Sequence, residues 1–471
     1  MKKLNSIISI FLRRIIVLMP NQITAIFLSI AIKERLPNGK DQFAFRKKSN
    51  KYSILALDSE RYRGDIDLLS KKNEFRVLHI RQGWQRLLTQ VFLTKKRYIY
   101  DVENAINGSD LEIQHKKTEA LVHDVLSKLY KIIDIDCITI VHFKYIPDYY
   151  WTIASERLNV PCIMLYRECN VMSPIIFDMV VDMMSNQKPF KGSHVIVHNQ
   201  KIKEAFIKSN FVADKQITVA SALRMDSLIK KNINYFMNNF NKDKEVKRKI
   251  FTLFYFPVNS SMFGSNNSGV NVKNYYPDGN YWNKKESYFI QLHETILKLA
   301  KANREIDFII KPKEIFMHDE SWNFYKKIVS ESRIDETKLD NYIVDAHADV
   351  HRLIIDSAVI CGGQSSTTIE SLYMGKRVIL PLFCGYKDTA YFEQFPWRNY
   401  LDLFDVADNI VDFENIFYKA LNSKEITKDD MKKRRDLYSI CFDDLSGNAI
   451  EKYSNTITST IESSRRDNDL D

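Results

Sequence analysis

From Tyr52 onward, short runs of β-branched and aromatic residues alternate with longer segments of helical period, and the alternation occurs in two separate series. A parallel strand covered on both faces reads as a continuous apolar run, and a crossover of helical length must follow it. This pattern therefore dictates βαβ units and parallel sheets. In the first series the candidate strands are residues 52–57, 76–80, 137–143, 161–166, 194–198 and 216–220, with helices expected over 117–133 and 149–158. A second series begins with the run Phe251-Thr252-Leu253-Phe254-Tyr255-Phe256 and continues through 307–310, 342–344, 358–361 and 378–382. Two series in 471 residues, about three times the commonest domain size, predict two domains with a core each.

The predicted fold class is α/β, with two doubly wound, Rossmann-like domains, a cleft between them and an amphipathic helical segment at the N-terminus. Residues 1–50 form that segment and 51–229 the first domain. The Asn- and Lys-rich stretch 230–249 is the linker, 250–425 the second domain, and 426–471 a C-terminal helix and polar tail, disordered after Glu462. Residues 260–283, rich in Asn, Ser and Gly, read as a long loop after the first strand of the second domain. In open α/β sheets that is the end where ligands bind.

Charge narrows the partners. The net charge is +10, but residues 1–50 alone hold ten Lys or Arg against Glu34 and Asp41. The rest is nearly balanced, so no basic face spreads over a domain as nucleic-acid binding would require. The apolar stretches 4–12 and 15–32 are broken by Arg13-Arg14 and Pro20-Asn21-Gln22, too interrupted for a spanning helix and wrongly ordered for a signal peptide. Interfacial helices at an anionic membrane surface fit the combination, with packing on the protein's own core as the alternative. The six cysteines (137, 162, 169, 361, 384 and 441) lie in or beside apolar runs without a Cys-x-x-Cys pair. They read as buried thiols of a reducing compartment, which points to the cytoplasm.

Chemistry concentrates between Asp349 and Pro381, which reads as helix, buried strand, small-residue turn, helix and buried strand. Gly362-Gly363 allow close backbone approach, Ser365 and Ser366 are good N-caps, and the N–H groups of a helix's first turn suit a phosphate. Glu370, about one turn further, has two oxygens suited to vicinal hydroxyls. A capped helix without ligand explains the same residues.

This segment resembles the nucleotide-binding half of GT-B glycosyltransferases. The likeness is to the group of the UDP-N-acetylglucosamine 2-epimerases, the CDP-glycerol glycerophosphotransferases and the transferases of bacterial capsule and O-antigen synthesis. The matching residues are Gln364-Ser365-Ser366, Glu370, and Gly375-Lys376 leading into Val378-Ile379-Leu380-Pro381. The resemblance implies a nucleotide site at Gly363, Gln364, Ser365, Ser366 and Thr367 with a ribose contact at Glu370. It also implies leaving-group neutralisation by Lys311 and Lys313, where relatives carry a basic residue and His-Pro. Gln-Ser-Ser with a single Glu departs from the epimerases' Ser-Gly-Gly with paired glutamates and favours transfer. Ser221-Ala222-Leu223-Arg224-Met225-Asp226 is similar to a Gly-x-x-Arg-x-Asp segment of these families, and an Arg224–Asp226 ion pair explains it equally.

The function implied is transfer of a sugar from a nucleotide-sugar donor to a lipid-linked surface-polysaccharide acceptor, at the inner face of the cell membrane. Alternatives are a CDP-polyol phosphotransferase, a sugar-nucleotide epimerase and a non-catalytic nucleotide-binding assembly protein. No resident cofactor is expected. No metal is expected either, since Asp65-Ile66-Asp67 and Asp134-Ile135-Asp136 do not sit at the carboxyl end of a strand. The acceptor base must come from the first domain. Glu168 is preferred because its apolar approach, Ile163 to Tyr166, would desolvate it. Asp58 is next, and each is otherwise a solvated loop residue. His142 reads as a core histidine.

Overall fold

A computed structural model describes the chain except residues 1–15, 17, 45–49, 63, 94–107, 170, 232–247, 255–279, 314–315, 318–319, 390–391, 393–394, 423–425 and 471. The chain divides into two compact units. Unit 1 comprises Met1–Glu168, Met184–Ser227 and Ser446–Asp471, and unit 2 comprises Cys169–Met183 and Leu228–Leu445.

Unit 1 holds β1 (Lys33–Arg35), β2 (Asp41–Phe43), β3 (Tyr52–Leu57), β4 (Phe75–Ile80), β5 (Cys137–Ile140), β6 (Cys162–Leu165), β7 (His194–Val197) and β8 (Ile217–Val219). The sheet order is β2-β1-β4-β3-β5-β6-β7-β8. All neighbours from β4 to β8 are parallel, and β1 joins β4 antiparallel. Counting the parallel strands alone, the order is 2-1-3-4-5-6, and the sheet reverses direction between β3 and β5. The main helices of this part of the chain are α1 (Asn21–Ala31), α2 (Asp65–Leu69), α3 (Gln82–Thr89), α4 (Asp110–Ile132), α5 (Ile146–Arg157), α6 (Pro174–Ser185) and α7 (Gln200–Lys208). Most of α6 groups with unit 2.

Unit 2 holds β9 (Lys249–Leu253), β10 (Ile306–Ile310), β11 (Tyr342–Val344), β12 (Val359–Cys361), β13 (Arg377–Pro381) and β14 (Asp405–Ala407), all parallel in the order β11-β10-β9-β12-β13-β14. That is 3-2-1-4-5-6, the dinucleotide-binding order, with its reversal between β9 and β12. Its helices are α8 (Asn280–Ala302), α9 (Glu320–Glu331), α10 (Val350–Asp356), α11 (Ser366–Tyr373), α12 (Ile410–Asn422) and α13 (Lys428–Phe442). The chain closes with α14 (Ala449–Leu470), which belongs to unit 1. The strands nearest the middle of each sheet are mostly buried, as runs such as Leu55-Ala56-Leu57 and Val359-Ile360-Cys361 require. The α/β class with two Rossmann-like sheets, expected from sequence, is what the chain contains.

Two expectations are corrected. The tail is not disordered after Glu462, because α14 continues to Leu470. Asp226 accepts hydrogen bonds at its start from the Ala449 and Ile450 N–H groups (3.0 and 2.9 Å), and Tyr453, Ile457 and Ile461 are buried against unit 1. The first fifty residues are not helical throughout, since β1 and β2 form a hairpin closed at Asn38-Gly39, where Gly39 takes φ +78°. Helix α1 packs one face on α4 through buried Thr24, Ala25 and Leu28, so part of the apolar N-terminus serves the protein's own core.

Candidate functional site

In unit 2 the carboxyl ends of the strands flanking the reversal are tied together by backbone hydrogen bonds. Lys311 N–H donates to the Leu253 carbonyl (2.9 Å), Phe254 N–H to Cys361 (2.9 Å) and Gly362 N–H to Ile379 (3.2 Å). The chain leaves β12 through Gly362-Gly363-Gln364 and enters α11 at Ser365, an extended N-cap whose Oγ accepts from Thr367 N–H (3.4 Å) and pairs with Thr367 Oγ1 (2.8 Å). Thr368 Oγ1 donates to the Gly363 carbonyl (2.9 Å), and the Trp397 indole N–H reaches the same oxygen at 3.4 Å. The turn is thus built rigidly from below, while Gln364, Ser365, Ser366 and Thr367 stay half-buried. At its other end α11 closes with Gly375 at φ +69°. Gly375 N–H bonds to Leu372 and Lys376 N–H to Ser371, a pairing that only a left-handed residue allows.

Gly363, Gln364, Ser365, Ser366 and Thr367 therefore come together at the reversal of the sheet, in the turn that enters α11 and in its first residues. Glu370 lies deeper than its assignment to a ribose implied: it is 1% exposed, and His351 Nε2 of α10 stands 3.5 Å from its Oε2. Lys311, at the end of β10, spends its ammonium on the Ala346 carbonyl (2.6 Å) and its neighbour Pro312 (3.0 Å), bracing the loop after β11, whereas Lys313 is exposed. Lys376 is structural. Its ammonium donates to the Ile355 and Ser357 carbonyls (2.7 and 2.9 Å) at the end of α10, and burial pulls it down to about 8.

In unit 1 the two base candidates separate. Glu168, after β6, is exposed, so the apolar run of Ile163 to Tyr166 does not desolvate its carboxylate. Side chains that leave a strand end need not follow the strand inward. Its neighbour Arg167 turns back to pair with Asp65 (3.6 Å) and to donate to the Arg61 carbonyl. Asp58, at the end of β3, is 2% exposed and adopts left-handed backbone, φ +53°. Its Oδ2 takes Gln82 Nε2 of α3 at 2.6 Å and Arg61 Nε at 2.5 Å, and the Arg61 guanidinium stacks 3.7 Å over Tyr145. Burial pushes the Asp58 carboxyl above the ordinary carboxylate range, against the pull of Arg61 and Arg86.

Sequence reasoning missed Asp148. It lies in the first turn of α5, just past the end of β5 on the other side of the reversal, is 2% exposed and accepts Gln85 Nε2 at 2.6 Å. The available signal was Tyr145-Ile146-Pro147-Asp148, a proline at a helix start followed by a carboxylate, directly after a buried strand. His142 is half-buried among Phe143, Tyr145 and Tyr166. Burial and the charges of Lys144 and Arg61 hold its imidazole well below the usual value. The Asp-x-Asp stretches have structural partners: Asp67 meets Arg35, and Asp136 meets Arg465 and the Ser53 N–H. Among the described residues no group of three His, Cys, Asp or Glu is placed to hold a metal ion.

No known family model matches the chain, and no curated protein matches its sequence. Among solved structures it is similar to UDP-GlcNAc 2-epimerase from Neisseria meningitidis bound to UDP-GlcNAc, with 13% identity over 86% of this chain and 100% of that one and a TM-score of 0.41. It is also similar to a UDP-N-acetylglucosamine 2-epimerase of Listeria monocytogenes (10% identity, 88% and 97% covered, TM-score 0.45). A third is an α,α-trehalose-phosphate synthase (UDP-forming) of Burkholderia vietnamiensis (10% identity, 89% and 98% covered, TM-score 0.43). No residue role is carried over from these likenesses.

Proposed function

We propose that the chain is a glycosyltransferase that binds a nucleotide-sugar on unit 2 and transfers the sugar to a lipid-linked surface-glycan acceptor. The observation that carries this reading is the turn from Gly362 to Thr367. Small, half-buried, hydroxyl-bearing residues sit at the reversal of a 3-2-1-4-5-6 sheet, on the first turn of a capped helix. Backbone N–H groups and hydroxyls there suit a diphosphate, and stabilising that leaving group is the largest task in such a transfer. Unit 1 supplies the base. The acceptor O–H breaks, its proton passes to the Asp58 carboxylate, and the oxygen bonds the anomeric carbon as the sugar–phosphate bond breaks. Donor binding on unit 2 needs no metal in this reading.

A position at a membrane surface is supported by α1. Its outward face carries Ile23, Ile26, Phe27 and Ile30, each 40–54% exposed, at the i, i+3, i+4, i+7 spacing of one stripe. Among the described residues no helix is long and apolar enough to cross a membrane.

The test is a thermal-shift panel of UDP, GDP, CDP, CMP and CDP-glycerol. A nucleotide at one hundred times its Kd stabilises the protein by about 2.7 kcal/mol, a shift of a few degrees. Ser366→Glu places a carboxylate in the first turn, where a helix dipole favours it but a phosphate does not. The variant should melt no lower than the parent and lose the shift. If no nucleotide stabilises the parent protein, the reading fails.

A further inference from the structure

Helix α3 begins directly after β4 and carries two glutamines three residues apart, on one face, each donating its amide to a buried carboxylate. Gln82 reaches Asp58 Oδ2 and Gln85 reaches Asp148 Oδ1, both at 2.6 Å. Asp58 directly follows β3 and Asp148 lies in the first turn of α5, the helix after β5; β3 and β5 flank the reversal of the unit 1 sheet, and both acids are 2% exposed.

Their surroundings differ in one respect. Asp58 has a counter-ion, Arg61, at 2.5 Å. Among the described residues Asp148 has no ion pair, and its Oδ2 and the Gln85 Oε1 are both buried acceptors with no donor. An unpaired carboxylate with a bare oxygen is costly inside a protein, and so is a second bare acceptor beside it. One proton on Asp148 removes the charge and turns one of the two acceptors into a donor.

We propose that Asp148 is a positioning residue that carries the proton of a coupled carboxyl pair, leaving Asp58 as the anion of that pair and setting its basicity. The inference rests on the reading of Asp58 as the acceptor's base. With Asp148 neutral, Asp58 is an anion held by Arg61 and Gln82. When Asp148 loses its proton, a second negative charge makes Asp58 bind a proton more tightly. By linkage Asp58 acts on Asp148 to the same extent, so the two midpoints belong to the pair. No electron moves and no other reactant is needed.

The charged groups acting on Asp148 agree with this. Burial is the largest influence and raises its carboxyl to about 7, and Asp58 adds to it. The Gln85 hydrogen bond and the charges of Arg61 and Arg86 act in the other direction. Tyr62, from the short helix Ser59–Arg61 onward, and Cys162 of β6 are the next titratable neighbours, and both stay protonated through neutral pH, held up chiefly by burial.

The experiment is a pH titration of the full chain labelled with [13Cγ]aspartate, followed by NMR between pH 4 and 9. In the parent protein one aspartate should titrate near neutrality, and its signal should vanish in Asp148→Asn. In that variant the midpoint of Asp58, identified by its loss in Asp58→Asn, should stay where it is, because asparagine is as neutral as the protonated Asp148 beside which Asp58 titrates in the parent. In Asp58→Asn that of Asp148 should fall, because in the parent it titrates beside the Asp58 anion. Gln85→Met, which keeps both acids, should move Asp148 upward. The proposal is overturned if no carboxyl titrates near neutrality, if Asp148 does not move in Asp58→Asn, or if Gln85→Met leaves Asp148 unmoved. The titration uses no substrate, so it stands or falls separately from the nucleotide panel that tests the transferase reading.

Discussion

Replacing Gly362 by alanine tests whether the turn that ends β12 is as tightly built as its hydrogen bonds indicate. A Cβ at this position would lie 2.7 Å from Thr368 Oγ1, with Thr368 Cβ and Cγ2 at 3.8 and 3.9 Å. Thr368 is fully buried, and its hydroxyl already donates to the Gly363 carbonyl. It has two ways to yield. Rotation of χ1 breaks that hydrogen bond and strands a buried hydroxyl, at about 1–3 kcal/mol. Displacement of the turn instead strains the Gly362 N–H bond to Ile379, and overpacking of this kind costs about 1–3 kcal/mol. Restricting the unfolded chain returns roughly 0.4–1 kcal/mol. The expected net loss is about 1–2 kcal/mol, read from urea unfolding at pH 7. Thr368→Ala removes the obstacle, so the double variant should lose less than the sum of the two single losses, by about 1 kcal/mol or more. A Gly362→Ala protein within about 0.5 kcal/mol of the parent, or strict additivity in the cycle, would refute the reasoning.

Two further outcomes follow from other parts of the molecule. Asp148 binds a proton more tightly folded than unfolded, so its contribution to stability is lost as pH rises from about 4 through about 7 and is level above that. Asp148→Asn should flatten this fall and gain on the parent above pH 7, by at most about 4 kcal/mol at 1.36 kcal/mol per pH unit. Melting temperatures at pH 5 and pH 8 decide it, and an equal difference at both would sink the idea. On α1, Ile26→Asp with Phe27→Asp should cut co-sedimentation with phosphatidylglycerol vesicles by about tenfold or more while barely changing the melting temperature, because both side chains face outward. Undiminished sedimentation would remove the membrane reading.

The sheets were legible because buried parallel strands leave no choice of residue. Tyr52-Ser53-Ile54-Leu55-Ala56-Leu57 has the observed bounds. The strands that escaped reading are held by other forces. β1 and β2 are Lys-Glu-Arg and Asp-Gln-Phe, tied by Arg35 to Asp41 (2.7 Å) and, through Glu34, to Arg76 of β4 (3.1 Å). Hydropathy is blind to such strands, and only Asn38-Gly39 announced the hairpin. β14, three residues at the sheet edge, has too short a run to register. The phosphate-type turn was visible as small residues after a buried strand. Asp148 was not, because its meaning comes from Gln85, 63 residues away, and from a burial that no local pattern encodes. The expected burial of Glu168 was not met for a related reason: an apolar run says where the strand is buried, not where the next side chain points.

The last helix has a consequence for how the protein is made. Ala449, Tyr453, Ile457 and Ile461 share one buried cluster with Ile54, Val77, Cys137 and Ile163, side chains of the first four parallel strands of unit 1. Every strand of that sheet has been synthesised once Val219 is added, yet the helix that roofs this face is encoded after the whole of residues 228–445. At about 5–20 residues per second the nascent chain spends roughly ten to forty seconds with that apolar face open while the second unit emerges. The yield of folded protein therefore depends on what shields the face during that interval, and a shortened chain ending before Ala449 should be held by chaperones or aggregate even though all of its strands are present.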